Sequence, residues 1–240
     1  NVKGAYLSFS DFVIFVISQL DFERLQIAIN DNLRGNVDLR GKSVYSSIED
    51  KKIFVKFYNP RDYTKDKHKR IDRAPYGGGP GMVIQAEPVI RAIASAKLQV
   101  TNYKLQTKII WLSPNGKQFT NQTARKLASK KQDLIIICGR YEGIDARVKK
   151  VFKVEEISVG PFVLTGGELP AMIMIDAIAR QIQGVLGDTN SPEENRIASS
   201  DVYTRPESFK YKGKNYRVPK VLLSGHHRKI ENWKLSRQNK

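Results

Sequence analysis

Only one cysteine, Cys138, occurs in 240 residues, which excludes an internal disulfide and fits a reducing compartment such as the cytoplasm. It follows Leu134-Ile135-Ile136-Ile137 directly and reads as a buried, inert thiol rather than a nucleophile. With three histidines and no second cysteine there is no metal-ligand spacing, and a catalytic triad is equally unsupported. No apolar run is long enough to cross a bilayer. The nearest, residues 9–20, is interrupted by Asp11 and Gln19 and has neither a basic flank nor a small-residue cleavage site, so no membrane contact or targeting signal is expected. Phosphate-binding spacings are missing too. Gly116-Lys117 is followed by Gln118, and Trp111 stands where the first glycine of a phosphate loop belongs. Gly77, Gly78, Gly79 and Gly81 fail the dinucleotide pattern because Met82 occupies the last glycine position.

Acidic residues are also scarce: 24 Asp and Glu face 41 Lys and Arg, a net charge of +17. Such an excess points to a polyanionic partner such as nucleic acid, or, more plainly, to a lysine-rich composition. The charge is uneven, because residues 203–240 carry eleven Lys and Arg against two Glu, or 11 − 2 = +9. Tyr211, Tyr216 and Trp233 are interleaved there, and cations with aromatic rings are what RNA binding uses.

With 40% hydrophobic residues the chain can build a true core. Ile53-Phe54-Val55-Lys56-Phe57-Tyr58 reads as a strand stopped by Asn59-Pro60. A basic loop (residues 61–73) and a glycine hinge (76–82) follow. Residues 86–97 are helical in pattern, with Val89, Ile90, Ile93 and Ala94 on one face. A second helix, capped by Thr120 or Asn121, runs through Leu127-Ala128. A third opens at Glu168-Leu169-Pro170 and continues to Ile182, apolar around most of its circumference except at Asp176, Arg180 and Gln181. Such a helix is expected to be buried against its own domain and against a second subunit. Strands alternating with helices predict an α/β fold with a parallel sheet. The expected domains are 1–186, a flexible linker at 187–202, and a small, mainly helical basic domain at 203–240.

Three strand ends run into loops: Ile109-Ile110-Trp111-Leu112 into Ser113-Pro114-Asn115-Gly116, Leu134-Ile135-Ile136-Ile137 into Cys138-Gly139-Arg140-Tyr141-Glu142-Gly143, and Ile157-Ser158-Val159 into Gly160-Pro161-Phe162-Val163-Leu164-Thr165-Gly166-Gly167. In open α/β sheets ligands sit beyond the carboxyl ends of strands, where glycine lets the backbone approach closely. The plain alternative is three ordinary turns. Loops rich in backbone groups but lacking a phosphate cradle suit a ligand read by its base edge, such as adenine packed on Leu164, Ile144 or Trp111. S-adenosylmethionine fits that description, and the residues alone leave other small ligands open.

Taken together, Pro75-Tyr76-Gly77-Gly78-Gly79-Pro80-Gly81-Met82, Leu112-Ser113-Pro114-Asn115-Gly116, Cys138-Gly139-Arg140-Tyr141-Glu142-Gly143-Ile144-Asp145 and Gly166-Gly167-Glu168-Leu169-Pro170-Ala171 resemble the bacterial tRNA (guanine-N1)-methyltransferase family. The resemblance continues through Gly184-Val185-Leu186-Gly187, Tyr203-Thr204-Arg205-Pro206-Glu207 and Leu222-Leu223-Ser224-Gly225-His226. It implies a trefoil-knotted, SPOUT-like α/β domain, a homodimer, and transfer of a methyl group from S-adenosylmethionine to N1 of guanosine at position 37 of tRNA, 3′ of the anticodon. Knots are rare, so patterning alone does not suggest one.

Carried over by motif, Trp111, Leu112, Ser113, Pro114, Gly139, Arg140, Tyr141, Glu142, Gly143, Val159, Gly160, Phe162, Leu164, Gly166, Gly167 and Pro170 are expected around the methyl donor, with Gly79, Pro80, Gly81 and Met82 toward the guanine. Arg180 matches the family's catalytic arginine; its plain alternative is a salt bridge to Asp176 at i, i+4. The family's general base is an aspartate in the linker. Here that region reads Ser191-Pro192-Glu193-Glu194-Asn195-Arg196, so Glu194 is the expected base, with Glu193 and Asp201 as reserves. Trp111 and Phe162 stand where tyrosines are usual, which keeps a flat surface but loses a hydroxyl. Mg2+ dependence is implied by the resemblance alone. The rival readings are a methyltransferase of the same fold acting on ribosomal RNA and a non-catalytic RNA-binding relative.

Overall fold

The computed structural model describes residues 12–17, 53–98, 107–130, 132–182, 185 and 201–237. The chain divides into two compact units, Asn1–Gly187 and Asp188–Lys240.

In the first unit, β1 (Phe12–Ile17), β2 (Ile53–Tyr58), β5 (Lys108–Gln118), β6 (Leu134–Ile137) and β7 (Val154–Ser158) form a parallel sheet in the order β2-β1-β6-β5-β7. A two-stranded antiparallel ribbon, β3 (Asp72–Arg73) with β4 (Val83–Ile84), flanks the glycine hinge. β6 is the middle strand, and all four of its residues are fully buried. Its unbroken run of branched aliphatics is what a strand covered on both faces requires. The period-2 alternation sorts the sheet's side chains between two cores. Ile110, Leu112, Leu134 and Ile136 pack with α2 (Asn121–Ser129) and α4 (Glu168–Ala179). Ile109, Trp111, Ile135 and Ile137 face the other way, toward α1 (Ala86–Leu98) and α3 (Val148–Val151). Each fully buried branched side chain contributes roughly 1.5–3 kcal/mol by leaving water.

The helices form largely where periodicity predicts them, with two corrections. On α1 the buried face is Ala86, Val89, Ala92, Ile93 and Ala96, while Ala94 is exposed and Ile90 half-buried. Small alanines let the helix lie close to the sheet, so the contact stripe is rotated from the one that bulk alone suggests. α4 starts at Glu168 as expected but ends at Ala179, with Arg180 at its C-cap and its N–H donating to the Asp176 carbonyl at 3.1 Å. Thr120 rather than Asn121 caps α2, its hydroxyl accepting from the Thr123 N–H at 3.2 Å. β5 does not end at Leu112. Its register against β7 shifts between Leu112 and Lys117, so Ser113-Pro114-Asn115-Gly116 bulges out of a strand that then rejoins. A β-carbon at Gly116 would lie 2.5 Å from the Ile157 nitrogen, so only glycine closes the bulge against β7.

The second unit is not only helical. Its described residues include an antiparallel hairpin, β8 (Ser208–Tyr211) and β9 (Lys214–Arg217), ahead of α5 (Lys220–Leu223) and α6 (His227–Leu235). The hairpin turns on Lys212 and Gly213, both in the left-handed region at φ 48° and 78°, as two-residue hairpin loops demand. Lys214-Asn215-Tyr216-Arg217 holds a single apolar residue and so lacks the alternation that signals a half-buried strand, which hid the hairpin in the sequence.

Candidate active site

The bulge of β5 and the carboxyl ends of β6 and β7 open on one cavity of about 420 Å3. Trp111, Leu112, Ser113 and Pro114 line it from β5 and its bulge, and Gly139, Arg140, Tyr141, Glu142 and Gly143 from the exit of β6. Val159, Phe162, Leu164, Gly166, Gly167 and Pro170 line it from the exit of β7 and the start of α4. Gly160 is the one expected donor residue that is not on the wall. It is buried behind the Phe162 ring, which occupies the space a β-carbon would need. The Ser158 hydroxyl donates to the Gly160 carbonyl at 2.9 Å and accepts from its N–H at 3.3 Å, fixing this corner.

Two of the loops are clasped together. The Gly167 N–H donates to the Gly139 carbonyl at 2.9 Å, and a β-carbon on Gly167 would stand 2.6 Å from the Cys138 α-carbon. Arg140 and Gly166 form an isolated antiparallel bridge. Across it the Arg140 Nε donates to the Glu168 carboxylate at 3.2 Å, and Glu168 is only 6% exposed at its side chain. Gly166 leaves the room that this carboxylate fills. Tyr141 adopts φ 58°, a left-handed conformation unusual outside glycine, at the rim of the cavity. Burial, with the Glu168 charge second, pushes the Cys138 thiol well above its ordinary range, in keeping with an inert structural cysteine.

Lys149 and Glu156 are cavity residues that sequence reasoning missed. Glu156 lies opposite Trp111 in the β5–β7 register, and Lys149 comes from α3. The Lys149 ammonium sits 4.8 Å over the Trp111 ring and 2.7 Å from the Glu156 carboxylate. No sequence signal joins these three, because the contact spans three separate elements.

The glycine hinge adjoins the cavity through the exit of β6. Glu142 donates from its N–H to the Met82 carbonyl at 3.1 Å, Ile84 donates to Gly143 at 3.0 Å, and Asp145 donates to Ile84 at 2.9 Å. At φ 92°, Gly81 packs so closely on Glu142 that a β-carbon would lie 2.6 Å from its carboxylate oxygen. Gly79, Pro80, Gly81 and Met82 are therefore beside the cavity rather than on its wall.

Arg180 also lies off the wall. It caps the far end of α4, roughly 18 Å from the helix start that borders the cavity, for twelve residues at 1.5 Å each. Glu193 and Glu194 lie outside the described residues. Asp201 is described, and its carboxylate accepts from Arg237 Nη1 at 3.1 Å. Among the described residues no group of three or more His, Cys, Asp or Glu side chains is placed to hold a metal ion, and no helix is long and apolar enough to cross a membrane.

The sequence has counterparts among known proteins. A sequence profile described as tRNA (Guanine-1)-methyltransferase TrmD matches residues 38–240. A tRNA (guanine-N(1)-)-methyltransferase of Dictyoglomus turgidum is 45% identical over 197 residues, covering 80% of this chain and 76% of that protein. Proteins of the same name from Marinomonas sp. and Pseudoalteromonas atlantica are 44% identical over 202 residues and 46% identical over 192. The first of these alignments covers 82% of this chain and 76% of the relative, and the second 78% and 69%. With its three glycine-bearing segments, the β5 bulge and the exits of β6 and β7, joined around one cavity, the chain belongs to the tRNA (guanine-1)-methyltransferase family.

Proposed function

We propose that this chain is a cytoplasmic enzyme that transfers the methyl group of S-adenosylmethionine to N1 of a guanosine in tRNA, the one at position 37. The reading rests on the meeting of the β5 bulge with the exits of β6 and β7 in one cavity, in a chain of this family. That cavity suits the donor in size and chemistry. Its volume lies within the usual small-molecule range of roughly 300–1,000 Å3. Leu112, Ile144, Val159 and Leu164 offer apolar surface, while Ser113, Asn115, Thr165 and the glycine backbone offer hydrogen-bonding groups for adenine and ribose. When bound, the donor supplies an electrophilic methyl group on a sulfonium.

The chain's own work is at the guanine. N1 carries a proton and is a poor nucleophile until that proton leaves, so a carboxylate must stand within hydrogen-bond reach. Glu194 takes this part in our reading, with Glu193 in reserve. Asp201 is the weaker choice, because Arg237 already engages its carboxylate. Arg180 would stabilise the negative charge that develops toward O6 as the proton leaves. Gly79, Pro80, Gly81 and Met82 would border the guanine, since the Met82 carbonyl accepts from the Glu142 N–H and Gly81 packs on the Glu142 side chain at the cavity's edge. Mg2+ finds no ligand set among the described residues, so no step is routed through it.

A homodimer accounts for α4 and for the distance of Arg180 from its own cavity. Leu169 and Ile173, one helical turn apart, are 57% and 47% exposed, and Phe162 and Val163 are exposed as well. A second copy covering these residues is the economical explanation. A trefoil knot is supported by the way 166–167 press on 138–140, and the division at a 187–202 linker by the polar composition there.

Unmodified tRNA transcripts, with and without guanosine at position 37, should be incubated with labelled donor and their nucleosides mapped. 1-Methylguanosine formed only on the first transcript supports the proposal. Methylation of ribosomal RNA alone would favour the sister activity, and no methyl transfer to either would leave a non-catalytic RNA-binding relative. Glu194→Gln should abolish turnover with little loss of donor affinity; undiminished turnover would place the base elsewhere.

A further inference from the structure

We propose that the β8–β9 hairpin is a stacking platform for unpaired nucleotides of tRNA, a role that rests on the tRNA reading above. The register pairs Phe209 with Tyr216 and Tyr211 with Lys214, so alternation puts these four side chains on one face. Ser208, Lys210, Asn215 and Arg217 form the other. On the first face the Phe209 and Tyr216 rings are stacked, with centroids 5.4 Å apart and planes 15° from parallel. The Lys214 ammonium sits 5.6 Å over the Tyr216 ring and the Lys212 ammonium 5.6 Å over the Tyr211 ring.

These rings do not build a core. Phe209 and Tyr211 are each 58% exposed and Tyr216 is 42% exposed, and all eight strand residues face solvent. A lone two-stranded ribbon gains little from a ring stack on an open face, so three large aromatics left in water point to something that covers them. The unit's other aromatic contact differs. Tyr203 and Trp233 meet edge to face at 6.1 Å with the Arg237 guanidinium over the indole, and they tie residue 203 to α6.

Charge selects the partner. Residues 208–217 carry Lys210, Lys212, Lys214 and Arg217 and no acid. That favours a polyanion with flat apolar faces, which is single-stranded RNA: bases stack on the rings while phosphates meet the cations. Duplex RNA hides its base faces within the helix, so the occupant is an unpaired stretch of the tRNA. A second protein chain would meet the same uncompensated cations.

Two variants of the full chain separate the terms. Phe209→Ala with Tyr216→Ala removes the stack; Lys210→Ala with Arg217→Ala removes two cations from the opposite face. Dissociation constants for an unmodified tRNA transcript are measured across a salt series, with donor affinity by calorimetry and methylation kinetics alongside. The ring variant should bind tRNA about fivefold or more weakly with the same salt slope, raising KM more than it lowers kcat, and should keep its donor affinity. The cation variant should lower the salt slope by about 1 to 2. Tyr216→Phe should behave as the parent, and unchanged Trp233 near-ultraviolet dichroism would show the unit still folded.

Parental tRNA affinity in a folded ring variant overturns the platform, as does a parent chain that binds no tRNA at low salt. A ring variant that changes association state but not tRNA affinity assigns the face to protein contact, and also overturns it. If the parent binds tRNA yet makes no 1-methylguanosine, the proposed reaction fails while the affinities still judge the hairpin. Turnover with an indifferent hairpin rejects the platform alone.

Discussion

Arg140 holds a carboxylate that has almost left water, and the two partners should not be equally costly to lose. Arg140→Met removes the guanidinium from a side chain that is 6% exposed, whereas Glu168→Gln leaves an arginine that is 28% exposed and can reach solvent. Losing the guanidinium weakens the compensation of a buried carboxylate and so lowers stability. Arg140→Met should show that loss and Glu168→Gln clearly less, with calorimetric melting as the check. Both should weaken S-adenosylmethionine binding, since the pair clasps two walls of the cavity. Asp133 offers a second test. It is buried, its Oδ2 finds no hydrogen-bond partner among the described residues, and burial raises its carboxyl above the ordinary value. A folded pKa above the unfolded one means that the favourable contribution is complete below the ordinary carboxylate pKa and is lost as pH rises through the folded value. Asp133→Asn should therefore stabilise the chain by about 1 kcal/mol near neutrality, and the gain should vanish near pH 3. A gain that persists in acid would show that the charge is not the cause.

Among the elements, β5 and α2 share a short stretch of chain yet do different work. The Thr120 cap satisfies one N–H at the start of α2 and Thr120 does not line the cavity, so Thr120→Ala should cost about 1 kcal/mol and leave donor affinity unchanged. Gly116→Ala should do the reverse of what its small size suggests. Its β-carbon would press on the Ile157 nitrogen and push the Ser113-Pro114-Asn115 bulge out of register, so donor affinity should fall at least about tenfold. Melting curves and donor titrations of the two variants separate these outcomes. The bulge also shows where pattern reading stops. Ile109-Ile110-Trp111-Leu112 announces a strand, but a loop and a bulge look alike until β7 is beside them. The rotated face of α1 has the same origin, since Ala92 and Ala96 are buried by the sheet's proximity and not by their own hydrophobicity.

For the molecule as a whole, the exposed apolar side of α4 is the feature that one chain leaves unexplained. Ile173→Glu would set a charge in the middle of it. If a second copy covers that side, sedimentation should shift from dimer to monomer and methyl transfer should fall at least about tenfold, because the wall near α4 loses its support. A parent that sediments as a monomer at micromolar concentration would exclude this reading. The net charge of +17 acts at the same scale, and tRNA affinity should fall steeply as salt rises.

Local sequence was enough for four of the five strands of the parallel sheet, for α1, α2 and α4, for the parallel class of the sheet and for the three loops that meet at the cavity, while the cap of α2 stood between Thr120 and Asn121 until the structure chose Thr120. Each of these depends on short-range periodicity or on glycine and proline chemistry, which neighbouring residues express by themselves. Family motifs then joined the loops into one expected site. Only the tertiary structure decided that β5 bulges and resumes, that Gly160 is screened by Phe162, that Lys149 and Glu156 bracket Trp111, and that Arg180 lies a helix-length from its own cavity. It alone also revealed the hairpin with its stacked rings. The reason is that these relations are set by distances between segments far apart in the chain, where close packing and not local propensity chooses the geometry.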